Sequence, residues 1–333
     1  MTAELRALRT EVDRLQAEVA ALRSQLARAG GAALGEVAAA PPGRGLRPFV
    51  VSIGSLALAA VARRAGRPGP AGGTFAEEDD FGFDPAFTEG LLPLASWIYD
   101  HWWRVEATGL GHVPATGPAL IVGNHGGVLP LDGAVLKTAL ARRESDPRHL
   151  RVLVMDWIMS IPFISPFMRR TGQTVACADD AIELLRRGEL VCTFPEGANG
   201  TGKLFGERYR LRRFGRGGFV RTALRTGAPI VPVAIVGAEE IYPMFHDFRP
   251  MARVLGSPYF PITPTWPWLG PLGLVPLPTK WLVEFCEPIP VDAYRPEDAD
   301  DAALVLRLSD EVRGVIQARV DELRARRTGV FAR

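Results

Sequence analysis

From about residue 86 the chain alternates short apolar runs with helical ones, and that alternation leaves few folds open to it. GPALIVGNH reads as a strand, DGAVLKTALARR as a helix, LRVLVMD as a strand and ADDAIELLRRG as a helix. ELVCTFPEG, GGFVRTALRTG and PIVPVAIVG continue as strand, helix and strand. This order implies an α/β domain with a largely parallel sheet flanked by helices. A last strand, KWLVEFCEPI, precedes a helix from about Asp298 to Arg327 with Leu304, Leu308, Val312, Val315, Ile316 and Leu323 on one face. The domain is assigned to residues 86–295 and the C-terminal helix to 296–333. A chain of 333 residues that is 47% hydrophobic has ample material for one such core.

Ahead of the domain, Leu5, Leu8, Val12, Leu15, Val19, Leu22 and Leu26 recur at spacings of three and four, an apolar heptad seam through residues 4–28. Glu4 and Glu18 facing Arg9 and Arg23 favour a coiled-coil helix over residues 1–28 and a parallel homodimer through residues 4–28, although a helix packed on its own domain would satisfy the same pattern. Residues 29–85 are largely rich in Ala, Gly and Pro and read as a linker. The apolar stretch at 48–64, flanked by Arg47, Arg63 and Arg64, suits a helix lying in a headgroup layer or one docked on the core.

Local charge matters more than the total. A formal net charge of +2 gives no reason to expect nucleic acid or strongly acidic partners. Cys177, Cys192 and Cys286 are isolated and lack C-x-x-C spacing, so neither a disulfide framework nor a metal site is expected. The charged opening MTAELRALRTEVDRLQ is not a secretory signal, and the uncharged runs at 48–62 and 254–279 do not resemble spanning helices. The expectation is therefore peripheral or monotopic association with the cytoplasmic face of a membrane. Tyr259, Phe260, Trp266, Trp268 and Trp281, set among prolines, fit either interfacial contact or a packed loop.

In open α/β sheets ligands bind where strands end, which draws attention to two loops. In NHGGVLPLD, His125 leaves a strand and Asp132 is expected at the N-cap of the next helix. An imidazole beside a carboxylate can take a proton from an alcohol near neutral pH, with the carboxylate fixing the tautomer. In FPEGANG, Glu196 ends the next such strand, suited to hold a substrate hydroxyl or to order the site through hydrogen bonds. A third segment, ERYRLRRFGRGGF, places Arg208, Arg210, Arg212, Arg213 and Arg216 before a helix, where guanidinium forks suit a phosphate of the acceptor or of coenzyme A, or anionic headgroups.

A strand ending in Asn124 and His125, Asp132 shortly after, FPEG about seventy residues later and then APIVPVAIVG together resemble the PlsC-type glycerolipid acyltransferase superfamily over roughly residues 100–290. The resemblance implies that His125 is the general base, Asp132 its partner, and Phe194, Pro195, Glu196 and Gly197 the acceptor-side loop. Asn124, Arg213, Arg216 and Gly217 join the substrate-binding set, Arg216-Gly217 matching the family's basic residue before a glycine. It further implies transfer of a fatty acyl group from acyl-CoA or an acyl carrier protein to a glycerolipid, lysophospholipid or related lipid alcohol, with no cofactor or metal.

Two departures stand out. The spacing is H-x6-D where the family has H-x4-D, and the Gly126-Gly127 pair can absorb the extra residues. Cys177 occupies the place of an arginine that contacts the acceptor phosphate, which points toward the monoacylglycerol and diacylglycerol acyltransferase-like branch.

Other readings fit less well. GANGTGKL nearly satisfies the P-loop pattern but has Leu204 where a hydroxyl must hold magnesium, and no G-x-S-x-G elbow is present for a serine hydrolase. The non-enzyme alternative is a membrane-tethered scaffold retaining the fold.

Overall fold

The computed structural model describes residues 79–332 apart from 130, 162 and 163. The expected coiled coil at 4–28 and the apolar stretch at 48–64 lie outside the described residues. Among the described residues nine strands follow in chain order: β1 (Glu106–Thr108), β2 (Ala119–Gly123), β3 (Leu150–Val154), β4 (Gln173–Val175), β5 (Leu190–Thr193), β6 (Ile230–Val236), β7 (His246–Asp247), β8 (Pro261–Ile262) and β9 (Leu282–Phe285). Seven of them form one sheet in the order β1-β9-β6-β2-β5-β3-β4, while β7 and β8 pair as a separate ribbon. Strands β6, β2, β5, β3 and β4 run parallel; β9 lies antiparallel to β6 and carries β1 parallel to itself. The largely parallel α/β architecture read from the sequence is the one observed.

Every residue of β2 and β6 is buried, because both sheet faces are covered. Leu120 and Val122 enter one core with residues of the helices Ala178–Arg186, Gly218–Thr226 and Ala302–Arg326. Ala119 and Ile121, alternating with them, enter the other core with Val135, Leu136, Ala139 and Leu140 of the helix Asp132–Ala141. Full burial of each such aliphatic side chain contributes about 1.5–3 kcal/mol, so the central strands hold the frame on which the loops are mounted.

The C-terminal helix is part of this domain. It buries Val305, Leu308, Val312, Ile316, Val320 and Leu323, whereas Val315, expected on the inner face, is exposed. Residues 79–84, read as the end of a linker, are fastened to the domain: Asp79 pairs with buried Arg151 at 2.5 Å, and Asp84 caps the helix Pro85–Trp97 while pairing with Arg170 at 2.6 Å. Among the described residues no helix is long and apolar enough to cross a membrane.

Candidate active site

Because β5, β2 and β6 are adjacent and parallel, the loops that leave their carboxyl ends lie side by side at the middle of the sheet. These loops begin at Asn124, Phe194 and Gly237. Asp132 is the first residue of its helix, one position inside the cap expected for it, and Leu131 occupies the cap. Its carboxylate turns back to the loop instead of capping the helix. Oδ2 lies 2.7 Å from Nδ1 of His125 and accepts the N–H of Gly126 at 3.1 Å. This bond to a fully buried carboxylate keeps the imidazole proton on Nδ1 and leaves the lone pair on Nε2, which has no protein partner among the described residues. Phe194 stacks on the imidazole with 4.4 Å between ring centroids and 12° between planes, fixing its tilt.

The two extra loop residues do not prevent the pairing. A Cβ on Gly126 would lie 2.5 Å from Cγ of Glu239, and one on Gly127, at φ +79°, would lie 2.7 Å from the carbonyl of Ala238. The bare glycine backbone lets the longer loop settle against the β6 loop with the His–Asp contact intact.

Glu196 is buried, and both its oxygens are committed. Oε1 accepts the N–H of His125 at 2.9 Å; Oε2 accepts the N–H of Arg212 at 2.7 Å and Nζ of Lys203 at 3.2 Å. Of the two roles expected for Glu196, the geometry supports ordering the site, since the side chain is fully buried with both oxygens bonded to protein donors. Asn124 is likewise corrected from a substrate contact to a brace. Its amide donates to the carbonyl of Ile235 at 2.9 Å and accepts from the N–H of Ile235 at 2.7 Å, joining the end of β2 to β6.

Pro195 and Gly197 complete the turn. Gly197 has φ 54° and ψ −144°, a region that favours glycine, and its N–H donates to the carbonyl of Phe194 at 3.0 Å. Arg213 and Arg216 are exposed and flank Gly215, where an added Cβ would lie 3.9 Å from the carbonyl of Pro195. Gly217 is not at a surface that a ligand reaches: at φ +73° it packs so close to Val305 of the C-terminal helix that a Cβ would lie 2.5 Å from Cγ1. Cys177, at the carboxyl end of β4, caps the helix Ala178–Arg186 through Sγ, which accepts the N–H of Asp180 at 3.4 Å.

Sequence reasoning missed Lys203 and Glu239. Lys203, the lysine of the P-loop-like segment, is buried between two carboxylates, at 3.2 Å from Glu196 and 2.5 Å from Glu239, so it faces protein acids and no phosphate cradle is formed. Burial works against its charge, but Glu239 and Glu196 outweigh that and hold its pKa above the ordinary lysine value. Burial pushes the Glu239 carboxyl up to about 7; Lys203 opposes this, and Glu196 and Asp132 add to it. Glu239 also accepts the N–H of Tyr209, and Gln317 of the C-terminal helix holds the next residues, accepting from Leu211 at 2.9 Å and donating to the Tyr209 carbonyl at 2.9 Å. A signal for Glu239 did exist, since it follows β6 at the sheet end where His125 and Glu196 emerge.

The Glu239 shift predicts a pH dependence of stability. Its pKa is about 7 folded and 4.5 for an unperturbed carboxyl, so across that window the folded state binds the extra proton and stability falls as pH rises. Denaturant unfolding of Glu239→Gln at a series of pH values should lose this descending component, whose limiting slope is about 1.4 kcal/mol per pH unit for one proton. A variant that keeps the wild-type slope would assign the proton elsewhere.

A mostly apolar groove of about 400 Å³ is walled by Trp97, Ile98, Trp102, Val275 and Pro276 and floored by Leu131, Ala134 and Val135, from the helix that begins at Asp132 and its cap. One of its lining residues, Leu131, directly precedes Asp132.

The arrangement has relatives. Residues 104–236 match the family model described as Acyltransferase. An uncharacterized protein of Mycobacterium tuberculosis is 50% identical over 254 residues, covering 76% of this chain and 71% of that protein. The "DGAT1/2-independent enzyme synthesizing storage lipids" of Homo sapiens is 24% identical over 226 residues, 66% of this chain and 62% of that protein. In fold, the chain resembles the crystal structure of the 1-acyl-sn-glycerophosphate acyltransferase PlsC from Thermotoga maritima, with a TM-score of 0.50 at 18% identity over 85% of this chain and 97% of that one.

Proposed function

We propose, for a chain that belongs to the PlsC-type acyltransferase superfamily, that it transfers a fatty acyl group from acyl-CoA or an acyl carrier protein to the hydroxyl of a glycerolipid or related lipid alcohol at a membrane surface. The observation that carries the reading is the buried pair in which Asp132 holds Nδ1 of His125 at 2.7 Å while Nε2 has no protein partner among the described residues. Nε2 removes the acceptor proton as the alkoxide oxygen attacks the thioester carbonyl. The tetrahedral oxyanion then collapses, the C–S bond breaks, and the imidazolium returns its proton to the departing thiolate. The N–H groups of His125 and Gly126 are already engaged by Glu196 and Asp132, which favours the following loop N–H groups, at Gly127 and Val128, as oxyanion donors. The apolar groove ending at Leu131 is suited to an acyl chain.

Cys177, standing where the family resemblance puts a phosphate-contacting arginine, supports a neutral acceptor, as does similarity to a human enzyme named for storage-lipid synthesis. The exposed Arg213 and Arg216 suit the phosphates of the donor. The test is a competition assay with labelled acyl-CoA or acyl carrier protein and equal amounts of monoacylglycerol, diacylglycerol and lysophosphatidic acid. Label should enter a neutral product, with His125→Ala as the control. Labelling of the phosphorylated product alone would refute the neutral acceptor, and labelling of none by the wild-type protein would refute lipid acylation of these classes.

A further inference from the structure

The connection from β6 to β9 holds a concentration of apolar side chains in water that nothing in the catalytic arrangement requires. Ten of the eighteen large apolar side chains exposed among the described residues fall between Phe245 and Val275. Scattered exposed apolar residues are ordinary, but a cluster of this kind marks a surface with an occupant. It has two protruding parts. The helix Arg249–Leu255 buries only Ala252, leaving Val254 at 80% exposure and Leu255 at 60%, with Arg249 and Arg253 beside them. The turn that follows β8 puts Trp268 and Leu272 outward, each 72% exposed.

Charge and continuity identify the occupant. Asp247 is the one carboxylate between residues 245 and 279, against Arg249 and Arg253, and the helix itself has none. Aliphatic tips with arginines beside them and a tryptophan nearby match the boundary between acyl chains and anionic headgroups. The same run ends at Val275 and Pro276, which form a wall of the apolar groove that Leu131, the neighbour of Asp132 in sequence, also lines. Its position relative to the site is fixed by hydrogen bonds from Tyr259 Oη to the carbonyl of Val128 at 2.8 Å, from Trp102 Nε1 to Pro276 at 3.0 Å and from Tyr242 Oη to Leu274 at 2.5 Å.

We infer that residues 245–275 form the surface on which the protein docks to a bilayer containing anionic lipid, and that lipid tails pass from there along the groove toward His125. This rests on the acyltransfer reading and adds to it a specific face and a route. The lipid acceptor then stays partly in its bilayer, and the insertion sets the distance between membrane and catalytic loop.

The test uses the full chain and two double variants, Val254→Glu with Leu255→Glu and Trp268→Glu with Leu272→Glu. None of these residues contacts the His125 network or lines the groove. Flotation with phosphatidylcholine vesicles containing phosphatidylglycerol should carry the wild-type protein, with weaker binding to phosphatidylcholine alone. Each double variant should bind at least about tenfold more weakly, since losing the burial of one aliphatic side chain is already worth that factor. Transfer to a short-chain acceptor dissolved as monomers should be unchanged in the variants, while transfer to a long-chain acceptor held in vesicles should fall with binding.

Variants that float as well as wild type would overturn the inference. So would a wild-type protein that stays off vesicles but forms larger species through this face, with the variants remaining smaller, because the occupant would then be a second copy. Failure of the wild-type protein to acylate either acceptor would count against the acyltransfer reading and leave the flotation result to decide the docking surface separately.

Discussion

His125→Ala should lower kcat for acyl transfer by about 10²–10⁴-fold, the span expected when a positioned general base is removed. Among the described residues Nε2 is the nitrogen left without a protein partner, and the apolar groove is lined by Leu131 of the same loop. Removing the imidazole also leaves Oδ2 of Asp132 with only the Gly126 N–H, so a stability loss of about 1–3 kcal/mol should accompany the kinetic defect. Asp132→Asn separates the two effects, because it keeps side-chain volume but no longer holds the imidazole tautomer by charge. Its kcat should fall without a matching rise in KM, and the double variant should be little worse than His125→Ala, since residues acting as one unit are not additive. Losses that multiply in the double variant, or a purified His125→Ala that transfers at the wild-type rate, would show that the two side chains do not work as base and partner.

The central sheet was legible because its strands are covered on both faces. Ala119–Gly123, Leu190–Thr193 and Ile230–Val236 appear in the sequence as short apolar runs between amphipathic helices. The short edge strands Glu106–Thr108 and Gln173–Val175 escaped notice, since three residues with polar members carry no period. Val315 was placed inward and lies outward because helical periodicity tolerates a rotation of one position, and the choice between Val315 and Val320 is made by what the sheet presents.

The pair itself was legible for a different reason. His125 and Asp132 are close in sequence and belong to one loop, so their meeting needs no long-range information. Asn124 shows where that stops. Its assignment as a substrate contact fails because its amide is consumed by Ile235, 111 residues further on, and only the pairing of β2 with β6 brings the two together. Lys203 shows the same limit: beside Gly197 and Gly202 it looks like part of a phosphate loop until the fold supplies Glu239 on its other side.

Lys203→Met should destabilise the protein by about 3–5 kcal/mol, the usual consequence of removing one partner from a buried ion pair. In a domain of this size that corresponds to a fall in Tm of roughly 10 °C. The loss is large because Lys203 is the cation lodged between Glu196 and Glu239, and without it both acids face each other in a buried site. The Glu239 carboxyl, already pushed up to about 7, then has every reason to stay protonated. Glu196 has a different fate. It continues to accept the N–H groups of His125 and Arg212 and so keeps its place beside the catalytic loop. Adding Glu239→Gln to Lys203→Met replaces the acid that must be held protonated with a neutral amide of the same shape, so part of the lost stability should return. Activity should recover less than stability, because the tie from Lys203 to the carbonyl of Arg210 at 3.3 Å, which helps hold the loop bearing Arg212, is still missing. Thermal unfolding and kcat measured on the two single variants and the double variant decide the matter. Additive stability losses would mean that Lys203 and Glu239 act separately, and the buried cluster would then have to be read as two independent contacts.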